Sequence, residues 1–147
     1  MKAAATILLF CLASGIANMA ASAGSGGDIK SMDSVRSKFE AFNKHDADAI
    51  EKIFASGATL QSPDYPNLAG NKQIADTYRK LFDTIPDAKD KIETLESSSS
   101  HVYAQFILTG HWKGAEDKPI SVRIISVYAI KDGRIVEDST YYDRKKP

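Results

Sequence analysis

Apolar residues along this chain repeat every three to four positions in its first half and every two in its second, the periods of helix and strand. In SMDSVRSKFEAFNKHD, Met32, Val35, Phe39 and Phe42 form one helical stripe. Ser31 or Asp33 is placed to cap its start, and Asn43 with the Lys-His-Asp that follows marks its end. DADAIEKIF predicts a short second helix with Ala49, Ile50, Ile53 and Phe54 inward, capped by Asp46 and stopped by Gly57. ATLQS (58–62) is strand-like, and PDYPNLAG (63–70), with two prolines and a glycine, reads as a loop. NKQIADTYRKLFDTIP then predicts a third helix, with Ile74, Tyr78, Leu81, Phe82 and Ile85 on one side and Pro86 as its terminator.

AKDKIETLE (88–96) alternates loosely around Ile92 and Leu95, and Ser97–Ser100 reads as a turn. HVYAQFILTGHWKG (101–114) alternates clearly, with Val102, Ala104, Phe106, Leu108 and Trp112 on one face. His101, Tyr103, Gln105, Thr109 and His111 fall on the other. GAEDKP turns the chain into ISVRIISVYAI (120–130), where Ile120, Val122, Ile124, Ser126, Tyr128 and Ile130 share a face. Lys131-Asp132-Gly133 reads as a hairpin turn, and RIVEDSTYYD as the last strand. Helices first and a strand meander afterwards predict an α+β domain. Its three N-terminal helices pack on a curved antiparallel sheet and enclose a cone-shaped apolar cavity.

The first 23 residues stand apart from both patterns. One lysine, the run Ala3–Ala13 and the close on Ala21-Ser22-Ala23 predict a secretory signal peptide, cleaved near Ala23. The apolar run is too short for a permanent span, and processing as a lipoprotein at Cys11 is disfavoured by bulky Phe10 before it. The expected organisation is a leader (1–23), a flexible lead (24–30) and one domain (31–147). The mature chain would be periplasmic or secreted, with no stable membrane anchor. Losing Lys2 leaves 18 basic against 19 acidic residues, which gives no electrostatic footprint for nucleic acid. Cys11 is the single cysteine, so neither a disulfide nor a thiol nucleophile is expected after cleavage.

The order of elements resembles the nuclear transport factor 2-like superfamily, and within it the SnoaL-like polyketide cyclases and ketosteroid isomerase-like proteins. The resemblance is carried by FEAFNKHDADAIEKIFA (39–55), ATLQSP with LAGNKQI, TIPDAKDKIETL (84–95), FILTGHWKG (106–114) and KDGRIVEDSTYYD (131–143). It implies the cone fold, but not the function, because this scaffold hosts many activities. Where ketosteroid isomerases place a general-base aspartate before a proline, this chain has Ser62. Where they place an oxyanion-stabilising aspartate and tyrosine, it has Ser126 and Lys38. The SnoaL-like cyclases are closer, with an aspartate in the closing strand and no metal or cofactor.

Strand parity then selects the candidates. If Val136 faces the cavity, so do Asp138, Thr140 and Tyr142, while Glu137, Ser139, Tyr141 and Asp143 face out. A carboxyl group on an apolar cavity is pushed toward a pKa useful for proton transfer. Asp138 is therefore the candidate acid/base, with Tyr128, Tyr142 and Ser126 to orient a carbonyl or enolate oxygen. Phe39, Ser62, Phe106, Trp112 and Thr140 complete the expected ligand wall. An alternative puts Asp138 at a wet rim, tied to Arg134 or Arg123. His45, His101 and His111 are too dispersed for a metal site, so no metal and no cofactor are expected.

Three readings of function remain from the sequence. The first is a cofactor-free isomerase or cyclase acting on a small hydrophobic or aromatic carbonyl compound. The second is a binding module without chemistry. The third is an assembly domain, since the outer sheet face of His101, Tyr103, Gln105, Ile107, Thr109 and His111 suits a homodimer.

Overall fold

The computed structural model describes residues 26–98 and 100–143, and the expected leader lies outside them. Three helices precede most of the sheet: α1 (Gly26–Asn43), α2 (Ala47–Ile53) and α3 (Asn71–Thr84). The strands are β1 (Phe54–Ser62), β2 (Tyr65–Ala69), β3 (Lys89–Ser98), β4 (His101–Trp112), β5 (Ala115–Lys131) and β6 (Arg134–Tyr141). They form one six-stranded sheet in the order β2-β1-β6-β5-β4-β3. All neighbours run antiparallel except β1 and β6, which pair in parallel. A meander alone cannot produce that pairing. It arises because α3 carries the chain from β2 to the far edge of the sheet, and the meander then walks back to β1.

The apolar stripes meet as their spacing requires. Val35, Phe39 and Phe42 from α1, Ile50 from α2 and Ile74 from α3 are buried against Ala58, Leu60, Val102, Ala104, Phe106 and Ile124 of the sheet. Phe42, Tyr78 and Phe82 pack edge-on or offset at 5.2–6.3 Å between centroids, the favoured aromatic arrangement. No described helix is long and apolar enough to cross a membrane.

Several boundaries differ from the sequence expectation. Residues 26–30, expected within a flexible lead, belong to α1. Asp28 in its first turn favours the helix dipole, and Ser34 Oγ donates to the Gly133 carbonyl at 2.9 Å, tying the middle of the helix to the β5–β6 hairpin. Phe54 does not close α2 but opens β1, with extended backbone angles and Ile135 as its strand partner. The expected loop at 63–70 contains β2, an edge strand, where Pro66 lacks a donor without spoiling a ladder. Strand β5 begins at Ala115, and its pairing with the end of β4 absorbs the expected turn at a register shift beside Trp112.

In β6 the premise about Val136 fails. Ile135 is fully buried and Val136 only half-buried, because a register shift beside Ala129 puts an extra residue in this strand. Beyond the shift, Asp138 nonetheless lies on the inner face opposite Tyr128 and beside Leu60.

Candidate functional site

A cavity of about 400 Å³ opens between the helices and the inner face of the sheet. That volume is within the range of small-molecule sites. Its walls are mostly apolar: Phe42 and Leu81 from the helices, and Leu60, Phe106, Val122 and Ile124 from the strands. Ser62, Asp64, Tyr65, Lys80, Trp112 and Tyr142 form its more polar rim. Trp112 is 49% exposed there. The Tyr142 hydroxyl donates to Asp64 across the β1–β2 turn, and burial, followed by that contact, pushes its pKa up to about 12.

The floor is ionic. Lys38, on the fourth turn of α1, is buried with its ammonium 3.9 Å from Asp90 Oδ2. Five aromatic rings surround that nitrogen, with centroids 4.4 Å (Phe39), 5.5 Å (Phe42, Tyr78 and Phe106) and 6.0 Å (Tyr128) away. Ring faces attract a cation, more strongly where water is excluded. Burial pushes Asp90 up to about 6; the Lys38 charge opposes that rise and the Asp138 charge adds to it. Burial likewise pushes Asp138 up to about 6, against the pull of Lys38 and of a 2.9 Å hydrogen bond from the Thr140 hydroxyl. Thr140 Oγ1 in turn lies 2.6 Å from Ser126 Oγ, so Ser126, Thr140 and Asp138 form one chain of hydrogen bonds.

Two buried oxygens, Asp90 Oδ1 at the floor and the Tyr128 hydroxyl behind the wall, have no hydrogen-bond partner within hydrogen-bonding geometry among the described residues. Buried polar atoms are rarely left so. The Ser126 hydroxyl lies 2.6 Å from Thr140 Oγ1, and beside Tyr128 it only tempers a pKa that burial, first, and Asp138, second, raise well above that of an ordinary phenol. Asp90 itself is clamped. Asn43 Nδ2 donates to the Asp90 carbonyl at 2.9 Å, and the Asp90 amide donates to Asn43 Oδ1 at 2.8 Å.

The sequence-selected residues separate into layers. Ser62, Phe106, Trp112, Thr140 and Tyr142 line the cavity. Asp138, Ser126 and Tyr128 lie in a layer behind that wall, with Thr140 linking Asp138 to the cavity. Asp138 is 1% exposed and so does not sit at a wet rim. Phe39 packs against Phe106 at 4.8 Å and braces the wall from behind. Sequence reading missed Asp90 and Tyr78 and treated Lys38 only as the position where a tyrosine would stand. Signals for two of them were present: Lys38 sits three residues after Val35 and four before Phe42, on the edge of the buried stripe, and Asp90 shares strand parity with Ile92.

The profile of the SnoaL-like domain matches residues 35–138. No curated protein sequence matches the chain significantly. A candidate SnoaL-like polyketide cyclase from Jannaschia sp. CCS1 superposes with a TM-score of 0.74 at 17% identity, over 82% of this chain and 90% of its own. An LEH-like epoxide hydrolase from M. tuberculosis gives 0.70 at 14% identity, over 80% and 85%. A protein of ketosteroid isomerase-like fold from Catenulispora acidiphila DSM 44928, solved with trimethylamine, gives 0.71 at 22% identity, over 75% and 85%. At these identities the structural likeness establishes the α+β cone fold alone.

Proposed function

This chain belongs to the SnoaL-like domain family, and we propose that it holds a small hydrophobic or aromatic carbonyl compound in its cavity and exchanges protons with it without a cofactor. The observation that carries this reading is the floor: two carboxyl groups with pKa values near 6 sit beneath an apolar chamber. Groups poised near neutral pH both accept and release protons at useful rates. Asp90 faces the cavity directly, and Asp138 acts through the Thr140 hydroxyl. A ligand carbonyl oxygen at the floor would accept from a protonated Asp90. Neighbours named for cyclase and hydrolase chemistry support placing an enzyme on this scaffold.

A second reading, binding without turnover, is favoured by the position of Asp138 behind the wall. Mass spectrometry of small molecules extracted from protein purified out of its own compartment tests the shared part of both. A stoichiometric apolar carbonyl compound supports the cavity as a ligand site; a passenger class without a carbonyl overturns the assignment. Export through the residue 1–23 leader and pairing of two copies through the outer sheet face belong to the same proposal. Tyr103, Ile125 and Tyr141 are exposed on that face, and Ile125 pairs with Tyr141 in register.

A further inference from the structure

Lys38 is more than a counter-charge for the two acids. It is an amine at the floor of the cavity, buried from bulk water, with its nitrogen 3.9 Å from Asp90 Oδ2. That separation exceeds a hydrogen bond, so Asp90 does not hold the ammonium directly, and both groups line the cavity where a carbonyl compound would approach them from its open side. The aromatic faces around the nitrogen and the excess of carboxylates over cations would stabilise any positive charge placed there, whether on an ammonium or on an iminium. We propose that Lys38 forms a covalent Schiff base with the carbonyl compound, a step that rests on the carbonyl reading above and extends it.

The step balances with the groups present. An ammonium proton passes to the Asp90 carboxylate, and the freed lone pair of Nζ attacks the carbonyl carbon to form a carbinolamine. Asp90 returns that proton to the carbinolamine oxygen, which leaves as water while the nitrogen lone pair forms the C=N bond. The product is an iminium ion on Lys38 beside an ionised Asp90, with no net change in protons. An iminium draws electrons from the adjacent carbon, so loss of a proton there to Asp138 through Thr140 becomes easier.

Limiting benzaldehyde with sodium cyanoborohydride, followed by peptide mass spectrometry, tests the proposal on the whole protein. Lys38 should carry most of the benzyl adduct, ahead of the exposed Lys72 and Lys91. Lys38→Arg, which keeps the charge, should lose that adduct while Trp112 quenching shows that the cavity still forms, and Asp90→Asn should slow its formation. Quenching of the single tryptophan, Trp112, at the cavity mouth reports binding of the aldehyde independently. Saturable quenching with label only on exposed lysines overturns the Schiff base and leaves the cavity reading standing. Neither quenching nor a Lys38 adduct overturns both.

Discussion

The Lys38 ammonium and the Asp90 carboxylate stand 3.9 Å apart, each side chain 3% exposed, and the same lysine also acts on Asp138. One cation thus serves two buried acids. With both ionised, the floor carries a net negative charge in an apolar setting, and holding one proton relieves it. The cluster is therefore a proton store placed under an apolar cavity.

Stability should fall as pH rises through this store. Both acids are raised from 3.8 to about 6 in the folded protein, so the native state holds protons that the unfolded chain has already released. Their contribution is fully present below pH 3.8 and is lost as pH climbs through about 6. The loss is on the order of 3 kcal/mol per acid at most. Melting temperature should be higher at pH 5 than at pH 7.5, and Asp138→Asn should flatten that slope; an unchanged slope contradicts the burial account.

Removing the cation should move both acids upward. Lys38 lowers the pKa of Asp90 and of Asp138, so Lys38→Met leaves burial and mutual repulsion unopposed. Carboxyl carbon chemical shifts followed by NMR should show both titrations at higher pH than in the wild type. Titrations that stay in place would mean that Lys38 does not face the pair.

Gly110 controls the wall from outside the cavity. A Cβ built there would come within 2.6 Å of Ile85 Cγ2 and 3.1 Å of Asp87 Oδ1. The segment displaced is the one that brings Ile85 to the cavity and Asp87 to the His111 backbone amide and ring, each at 2.7 Å. Gly110→Ala should cost about 1–3 kcal/mol, the usual range for overpacking, and should weaken ligand binding as well. Denaturant unfolding and Trp112 fluorescence check the two effects together.

The outer sheet face gives a simpler test. A charge in the centre of the Tyr103, Ile125 and Tyr141 patch should disfavour pairing of two copies. Sedimentation should show the wild type as a dimer and Ile125→Asp as a monomer with an unchanged melting profile at low concentration. A wild-type monomer contradicts the assembly reading.

Period and order made the helices and the meander legible in the sequence, since Val35, Phe39 and Phe42, and Val102, Ala104 and Phe106, are buried as their spacing predicts. What stayed hidden depends on distant partners. Strand β2 reads as a loop because Pro66 and Asn67 suit an edge only once β1 supplies the ladder. Lys38 reads only as the residue standing where a tyrosine would, until Asp90, far along the chain, arrives beside it. Asp138 was found by parity counted from the wrong residue: the shift at Ala129 changes the count, and the strand still turns the acid inward.

The proposed reaction is proton exchange between the floor acids and a bound carbonyl compound. Deuterium incorporation next to the carbonyl of aryl alkyl ketones, followed by NMR in D2O, measures that exchange directly. The wild type should accelerate it, and both Asp90→Asn and Asp138→Asn should slow it sharply while Trp112 quenching shows the ketone still bound. Exchange at the wild-type rate in both variants would contradict the account.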